Sequence, residues 1–176
     1  RLPTVSWARE MCIRDSLYLL DPLVEEILIE KSATGRSAWI RLFDETSAAL
    51  RFPFKKKSLT EAEILNLLSD ADPHTRKIAG KSLSEVLENN KRIFGMILNV
   101  ISRDRFIEDN KRGFKRIMSS RNLDNDVEDE VVDNLVSTVD KAMPKLTHRY
   151  YKWKANQFGQ TSLDWWDRNA PLPHSS

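Results

Sequence analysis

The chain has 176 residues, 40% of them hydrophobic and 31% charged, with a formal net charge of +2. That is long enough for one domain with a core of its own, and ordinary for a soluble globular protein. The near-balanced charge excludes the strongly basic or acidic character of a chain adapted to nucleic acid or a membrane surface, and no apolar run approaches the roughly 20 residues of a membrane span.

Residues 1–16, RLPTVSWAREMCIRDS, have neither helical nor strand periodicity. No apolar stretch follows their charges, so they are not built as a signal peptide. The end, Met11-Cys-Ile-Arg-Asp-Ser16, has the appearance of translated adapter sequence, and the segment reads as a non-native leader; the alternative is a native disordered terminus. The single cysteine, Cys12, lies inside it, so the rest of the chain excludes disulfides and suits a reducing, cytoplasmic setting.

Helix follows helix from there. Asp21-Pro22 is a cap followed by a first-turn proline, and Leu23, Val24, Ile27 and Leu28 recur at helical spacing. Thr34-Gly35 marks a turn. A second helix from Arg36 carries Trp39, Ile40, Leu42, Phe43 and Leu50, and Pro53 stops it. Residues 50–59 form a short extended excursion around Lys55-Lys56-Lys57. Thr60 and Glu63 have the spacing of a capping box, with Leu59 and Ile64 as its hydrophobic staple. Asp72-Pro73 starts a long scaffold helix, predicted from Pro73 to about Glu108, with an apolar stripe at Ala79, Leu83, Val86, Ile93, Ile97 and Ile101 that Asn90 interrupts.

Residues 113–125 read as a turn region. Asn125 or Asp126 is the expected cap of a helix through Val127, Val131, Val132, Leu135, Val136 and Val139, whose acidic first turns suit the positive end of a helix dipole. Pro144 is expected to begin another helix through Tyr151 and Trp153, closed by Gly159. Residues 163–172, with Trp165, Trp166 and two prolines, read as an edge strand or a loop. The fold class is therefore all-α, with short extended segments near 50–59 and 163–172.

Little of this carries chemistry. Of the three histidines, His74, His148 and His174, none has a second within five residues, so no zinc-ligand pair is present. His74 reads as solvated, His148 as partly buried and hydrogen-bonded beside two tyrosines. Thr34-Gly35-Arg36-Ser37 matches neither a phosphate loop nor a dinucleotide fingerprint, and no Gly-x-Ser-x-Gly elbow occurs. Residues 103–116 hold six basic and three acidic side chains, and residues 124–133 hold six acidic and no basic ones. The two runs either pair across the loop between them or stay solvated, and the acidic run opposes nucleic-acid binding. Tyr150, Tyr151, Trp153, Trp165 and Trp166 read as core between the last helix and the extended segment. Asp167 reads as a cap, or as the partner of Arg168 or another neighbouring base. The expectation is no catalytic residue and no metal ligand in this chain, with substrate-binding residues undetermined.

Four phrases go further by resemblance: residues 30–44 (EKSATGRSAWIRLFD), Ser119-Ser-Arg-Asn-Leu123, residues 146–155 (LTHRYYKWKA) and residues 164–172 (DWWDRNAPL). In this order they resemble the N-terminal and linking region of oligoendopeptidase F, of the thimet-oligopeptidase family of zinc metallopeptidases, over about residues 19–173. Where that family carries a phrase of the type Tyr-Asp-x-x-x-Pro, this chain has Trp166-Asp167-Arg-Asn-Ala-Pro171, with no phenol. The resemblance implies a fragment of a larger two-lobed helical peptidase. Residues 17–108 would be its N-terminal lobe, and 109–176 the truncated start of the metallopeptidase catalytic domain. It implies zinc-dependent hydrolysis of oligopeptides in the full-length parent. The ligands and base would lie elsewhere, so the fragment would bind no zinc and be inactive alone. Its partners would be oligopeptide substrates and the remainder of its own catalytic domain, not nucleic acid or a membrane. The competing reading is a stand-alone helical protein-interaction module.

Overall fold

Caps written in the sequence start three of the helices, at Asp21, Thr60 and Asp72. The computed structural model describes residues 16–173; the leader with Cys12, and His174, lie outside these residues apart from Ser16. Helix α1 (Pro22–Ser32) starts where Asp21 accepts a hydrogen bond from the Leu23 amide at 2.9 Å, with Pro22 in the first turn. Helix α2 (Arg36–Ala49) follows a turn in which the Gly35 amide donates to the Lys31 carbonyl at 2.8 Å.

The excursion after α2 is a hairpin of β1 (Phe52–Phe54) and β2 (Lys57–Leu59), antiparallel, with Phe54 opposite Lys57 and Phe52 opposite Leu59. Its turn holds Lys55 at φ 53°. Helix α3 (Glu61–Asn66) opens on the expected capping box: Thr60 accepts from the Glu63 amide, and the Glu63 carboxylate accepts from the Thr60 amide at 2.8 Å. A single 3-10 turn, Leu67–Ser69, continues it.

Helix α4 (Pro73–Arg112) runs 40 residues, about 60 Å at 1.5 Å per residue. Asp72 caps it by accepting from the amides of His74 and Thr75. Gly113, at φ 86°, ends it: its amide donates to Asn110 and the Phe114 amide to Asp109, the paired bonds of a Schellman closure. Of the expected stripe, Ala79, Leu83 and Ile97 are buried. Asn90 interrupts it as expected, spending its side-chain amide on the Val86 carbonyl of its own helix.

Three expectations need correction downstream. The supposed turn region contains a helix, α5 (Ser119–Asp124). Helix α6 (Asp129–Ala142) begins three residues after Asp126. Asp126 is no cap; it takes a left-handed conformation, φ 52°, in a turn where the Val127 amide returns to the Asn122 carbonyl. Pro144 does not begin a helix. It lies in the turn in which Lys145 and Leu146 both donate to the Ala142 carbonyl, and α7 (Thr147–Gln157) starts after it. Gly159, at φ 67°, closes α7 as expected. Residues 163–172 form no strand; without a partner edge they coil into a 3-10 turn at Trp165–Asp167. Among the described residues the fold is helical with a single two-stranded hairpin.

Contacts divide the chain into two compact units that share α2, α4 and α6. One holds residues up to 41 with 97–139, and the other holds 42–96 with residues from 140 on. The second unit has the apolar core: Phe52, Phe54, Ile64, Leu68, Ala79 and Leu83, flanked by Leu50, Leu59, Val86 and Trp166. In the first unit, α1 contributes no buried residue, and α6 has none along its length.

Candidate functional site

The residues that sequence reasoning weighed for chemistry are scattered. His74 is exposed in the first turn of α4. His148, expected to be partly buried, is exposed on α7, where its backbone amide donates to the Met143 carbonyl. Thr34-Gly35-Arg36-Ser37 is the turn into α2. Among the described residues no group of three or more His, Cys, Asp or Glu side chains is placed to hold a metal ion.

The expected aromatic core is not a single cluster. Tyr150 packs on Tyr151 and Trp153 along α7, and Trp165 meets Trp166 edge-on at 5.8 Å. Tyr150, Trp153 and Trp165 remain about half exposed. Trp166 alone among the five packs against the core of its unit.

The buried chemistry of that unit is a clasp around Asp167. Its carboxylate accepts from Arg76 Nε at 2.8 Å, with the two side chains 6% and 1% exposed. The nearest bases in sequence are not its partners; Arg76 lies 91 positions earlier. Arg76 also donates through Nη1 to the carbonyls of Asp70 and Ala71 and lies 5.8 Å from the Phe158 ring centre. Lys154, also buried, donates to the Arg168 carbonyl at 2.8 Å. Loss of solvation holds the Lys154 ammonium below its ordinary pKa; Arg76 adds to the shift and Asp167 opposes it. Arg76 Nε thus ties Asp167 to the start of α4, its Nη1 ties residues 70 and 71 to the same turn, and Lys154 ties Arg168 to α7.

Gly80 allows the close approach. A Cβ there would lie 2.9 Å from Trp166 Cβ and 3.2 Å from Trp165 Cζ2. Gly80→Ala gains about 1 kcal/mol of helix propensity, which offsets much of the clash. Gly80→Val gains less propensity and adds more bulk, and should destabilise this unit by about 1–3 kcal/mol, with the tryptophan emission shifting red as the segment lifts. Unchanged emission and stability in Gly80→Val would contradict this packing.

In the first unit the two charge runs do pair across the loop. Arg105 reaches Asp109 at 3.0 Å and Asp124 at 3.3 Å; Arg116 reaches Asp133 at 2.8 Å and Asp129 at 3.6 Å. Asp129 further accepts from Ser119 Oγ at 2.5 Å and Asn122 Nδ2 at 2.7 Å, which holds its carboxyl below the ordinary range. The Ser119-Ser-Arg-Asn-Leu123 phrase thus ties α5 to the start of α6. Arg112 binds Glu25 through both terminal nitrogens, at 2.5 and 2.9 Å, and reaches Glu108 at 3.0 Å. Tyr18 stacks on Phe114 beside this pair, ring centres 4.0 Å apart.

The Arg112 hydrogen bonds, joined by the Leu20 amide, lower Glu25 from 4.5 to about 2. A depressed carboxyl stabilises fully above its unfolded value, and the contribution is lost as the pH falls from 4.5 through about 2. We expect α1 to loosen over that window, read by amide exchange at Ile27 and Leu28, and Glu25→Gln to remove that component of the acid response. An unaltered acid profile in Glu25→Gln would assign the response to other carboxylates.

Known proteins share both the sequence and the fold. The sequence model of a family described as Oligopeptidase F matches residues 10–52. An oligoendopeptidase F homolog of Borreliella burgdorferi is 25% identical over 167 residues, covering 94% of this chain and 28% of that protein. Oligopeptidase PepF of Bacillus subtilis is 25% identical over 178 residues, covering 97% of this chain and 26% of that protein. The crystal structure of oligoendopeptidase-F from Enterococcus faecium superposes with a TM-score of 0.83 at 20% identity, covering 94% of this chain and 34% of that one. The chain thus spans about a third or less of the relatives it matches, and the resemblance to oligoendopeptidase F read from its phrases is borne out.

Proposed function

We propose that this chain, related to oligoendopeptidase F along nearly its whole length, serves as the N-terminal lobe of a zinc metalloendopeptidase that hydrolyses short peptides. The observation that carries the reading is identity of 25% over 94% of the chain, set against the 28% of the relative that it spans. On this reading the zinc ligands and the general base come from sequence outside these 176 residues, and zinc would supply an activated water there. The described residues supply scaffold: a long helix, a docked tryptophan segment and two polar networks.

The uncovered apolar surface supports the same reading. On α1, Leu23 and Ile27 are exposed, and on α6 so are Val131, Leu135, Val136 and Val139. Apolar helix faces of this kind are covered in a finished molecule, here by the remainder of the catalytic domain. Arg105, Arg112 and Arg116 are committed to carboxylates, which supports a reading without nucleic acid as partner. A cytoplasmic location without a membrane partner goes with it; no described helix is long and apolar enough to cross a membrane.

Three measurements on the 176-residue chain test the proposal: calorimetric titration with zinc, hydrolysis of a quenched-fluorescent heptapeptide, and sedimentation at micromolar concentration. We expect no stoichiometric tight zinc binding, no turnover and self-association through the apolar faces. Tight zinc binding with turnover would overturn the assignment of the chemistry to other sequence. A soluble monomer that unfolds cooperatively would favour the stand-alone interaction module instead.

A further inference from the structure

We propose that the tip of the β1–β2 hairpin is a docking surface for a short acidic peptide segment carrying an apolar side chain. Cross-strand pairing puts Phe52, Phe54, Lys57 and Leu59 on one face of the hairpin. Phe52 seats in the core, and the outer part of that face opens onto a groove of about 710 Å³. Phe54, Leu59 and Leu67 form its apolar part, and Lys55, Lys56 and Lys57 its cationic rim. Leu59 and Leu67 are only half-buried, so an apolar side chain entering the groove would remove further apolar surface from water.

Charge sets the kind of occupant. Among the described residues, no ion pair engages Lys55, Lys56 or Lys57; Lys55 instead lies over the Phe54 ring at 5.2 Å. Glu63 is the only acid lining the groove. Its carboxylate is already spent on the Thr60 amide and hydroxyl, both at 2.8 Å. Three cations therefore stand together in a two-residue turn and the strand position after it, beside an apolar trough, and among the described residues only Glu63 is near enough to Lys57 to offset part of their charge. That pairing of features calls for a ligand with carboxylates flanking an apolar side chain.

The test tethers the full chain sparsely to a sensor surface, so that self-association does not contribute. The probe is acetyl-Asp-Glu-Leu-Glu-Asp-amide, titrated at 50 and 300 mM salt. We expect saturable binding that weakens at the higher salt. Lys56→Glu with Lys57→Glu should weaken it roughly tenfold or more. Lys145→Glu with Lys152→Glu, the same charge change at other exposed positions, should leave it unaltered. A probe with Ser in place of Leu should bind several-fold more weakly. Absence of saturable binding, equal loss in both charge-reversed variants, or equal binding of the Ser probe overturns the proposal. Tighter binding of a single-stranded oligonucleotide than of the peptide overturns it in favour of a polyanion surface. Should circular dichroism show the Glu pair misfolded, Lys56→Gln with Lys57→Gln must still show the loss.

Discussion

Replacing Asp167 by Ala is expected to destabilise the second unit by about 3–5 kcal/mol, because it leaves the Arg76 guanidinium buried without its counter-ion. Arg76 is 1% exposed, and two backbone carbonyls cannot neutralise its charge. Lys154, close enough to feel Arg76, worsens the imbalance. The check is the urea midpoint of the chain at low concentration, followed by tryptophan emission, since Trp165 and Trp166 flank the lost carboxylate. Arg76→Met combined with Asp167→Leu should recover most of the loss, because removing both charges removes the desolvation cost that breaking the pair exposes. A loss below 1 kcal/mol in Asp167→Ala would mean that water reaches Arg76.

Phe52→Ala is expected to cost a similar amount, about 3–5 kcal/mol, by a different route. Phe52 is fully buried in a core whose other large side chains are Phe54, Ile64, Leu68 and Leu83. Hairpin, α3 and the start of α4 all meet there, so the cavity cannot close by moving a single loop. A strand of three residues has little stability of its own. Amide exchange should therefore rise first in Lys57–Leu59 and then in α3. Phe52→Leu, which keeps much of the volume, should cost markedly less. Equal losses in the two variants would place the sensitivity in the ring rather than in the filled space.

What could be read locally held. Asp21-Pro22, Thr60 with Glu63, Asp72-Pro73 and Gly159 act as the sequence implies, because a cap depends on groups within three or four positions of itself. The extended excursion around Lys55–Lys57 was legible too, but that it folds back into an antiparallel hairpin was not. Where the reading failed, a local signal competed with another. Asn125 and Asp126 are good caps, but the Asn122 carbonyl draws the Val127 amide back and turns Asp126 left-handed. Pro144 is a good first helical residue, but the turn closing α6 claims it.

Side-chain pairing was hardly legible at all. The charge runs of 103–116 and 124–133 announce that pairs are possible, yet not that Arg112 would turn to Glu25, 87 positions away. Nothing adjacent to Asp167 points to Arg76, and nothing around Gly80 points to Trp166. A glycine inside a long helix was the one available signal, since its cost of about 1 kcal/mol against alanine asks for a packing reason.

By itself, then, the amino-acid sequence determined that this chain is helical, where most of its helices start, and to which peptidase family it is related. Those properties rest on dihedral preferences, caps and collinear phrases, all of them local. Tertiary structure alone decided that Asp167 clasps Arg76 and that Trp166 rests on Gly80. Each of these depends on which surfaces meet after residues far apart in the chain are brought together, and desolvation at that meeting sets which charges must pair.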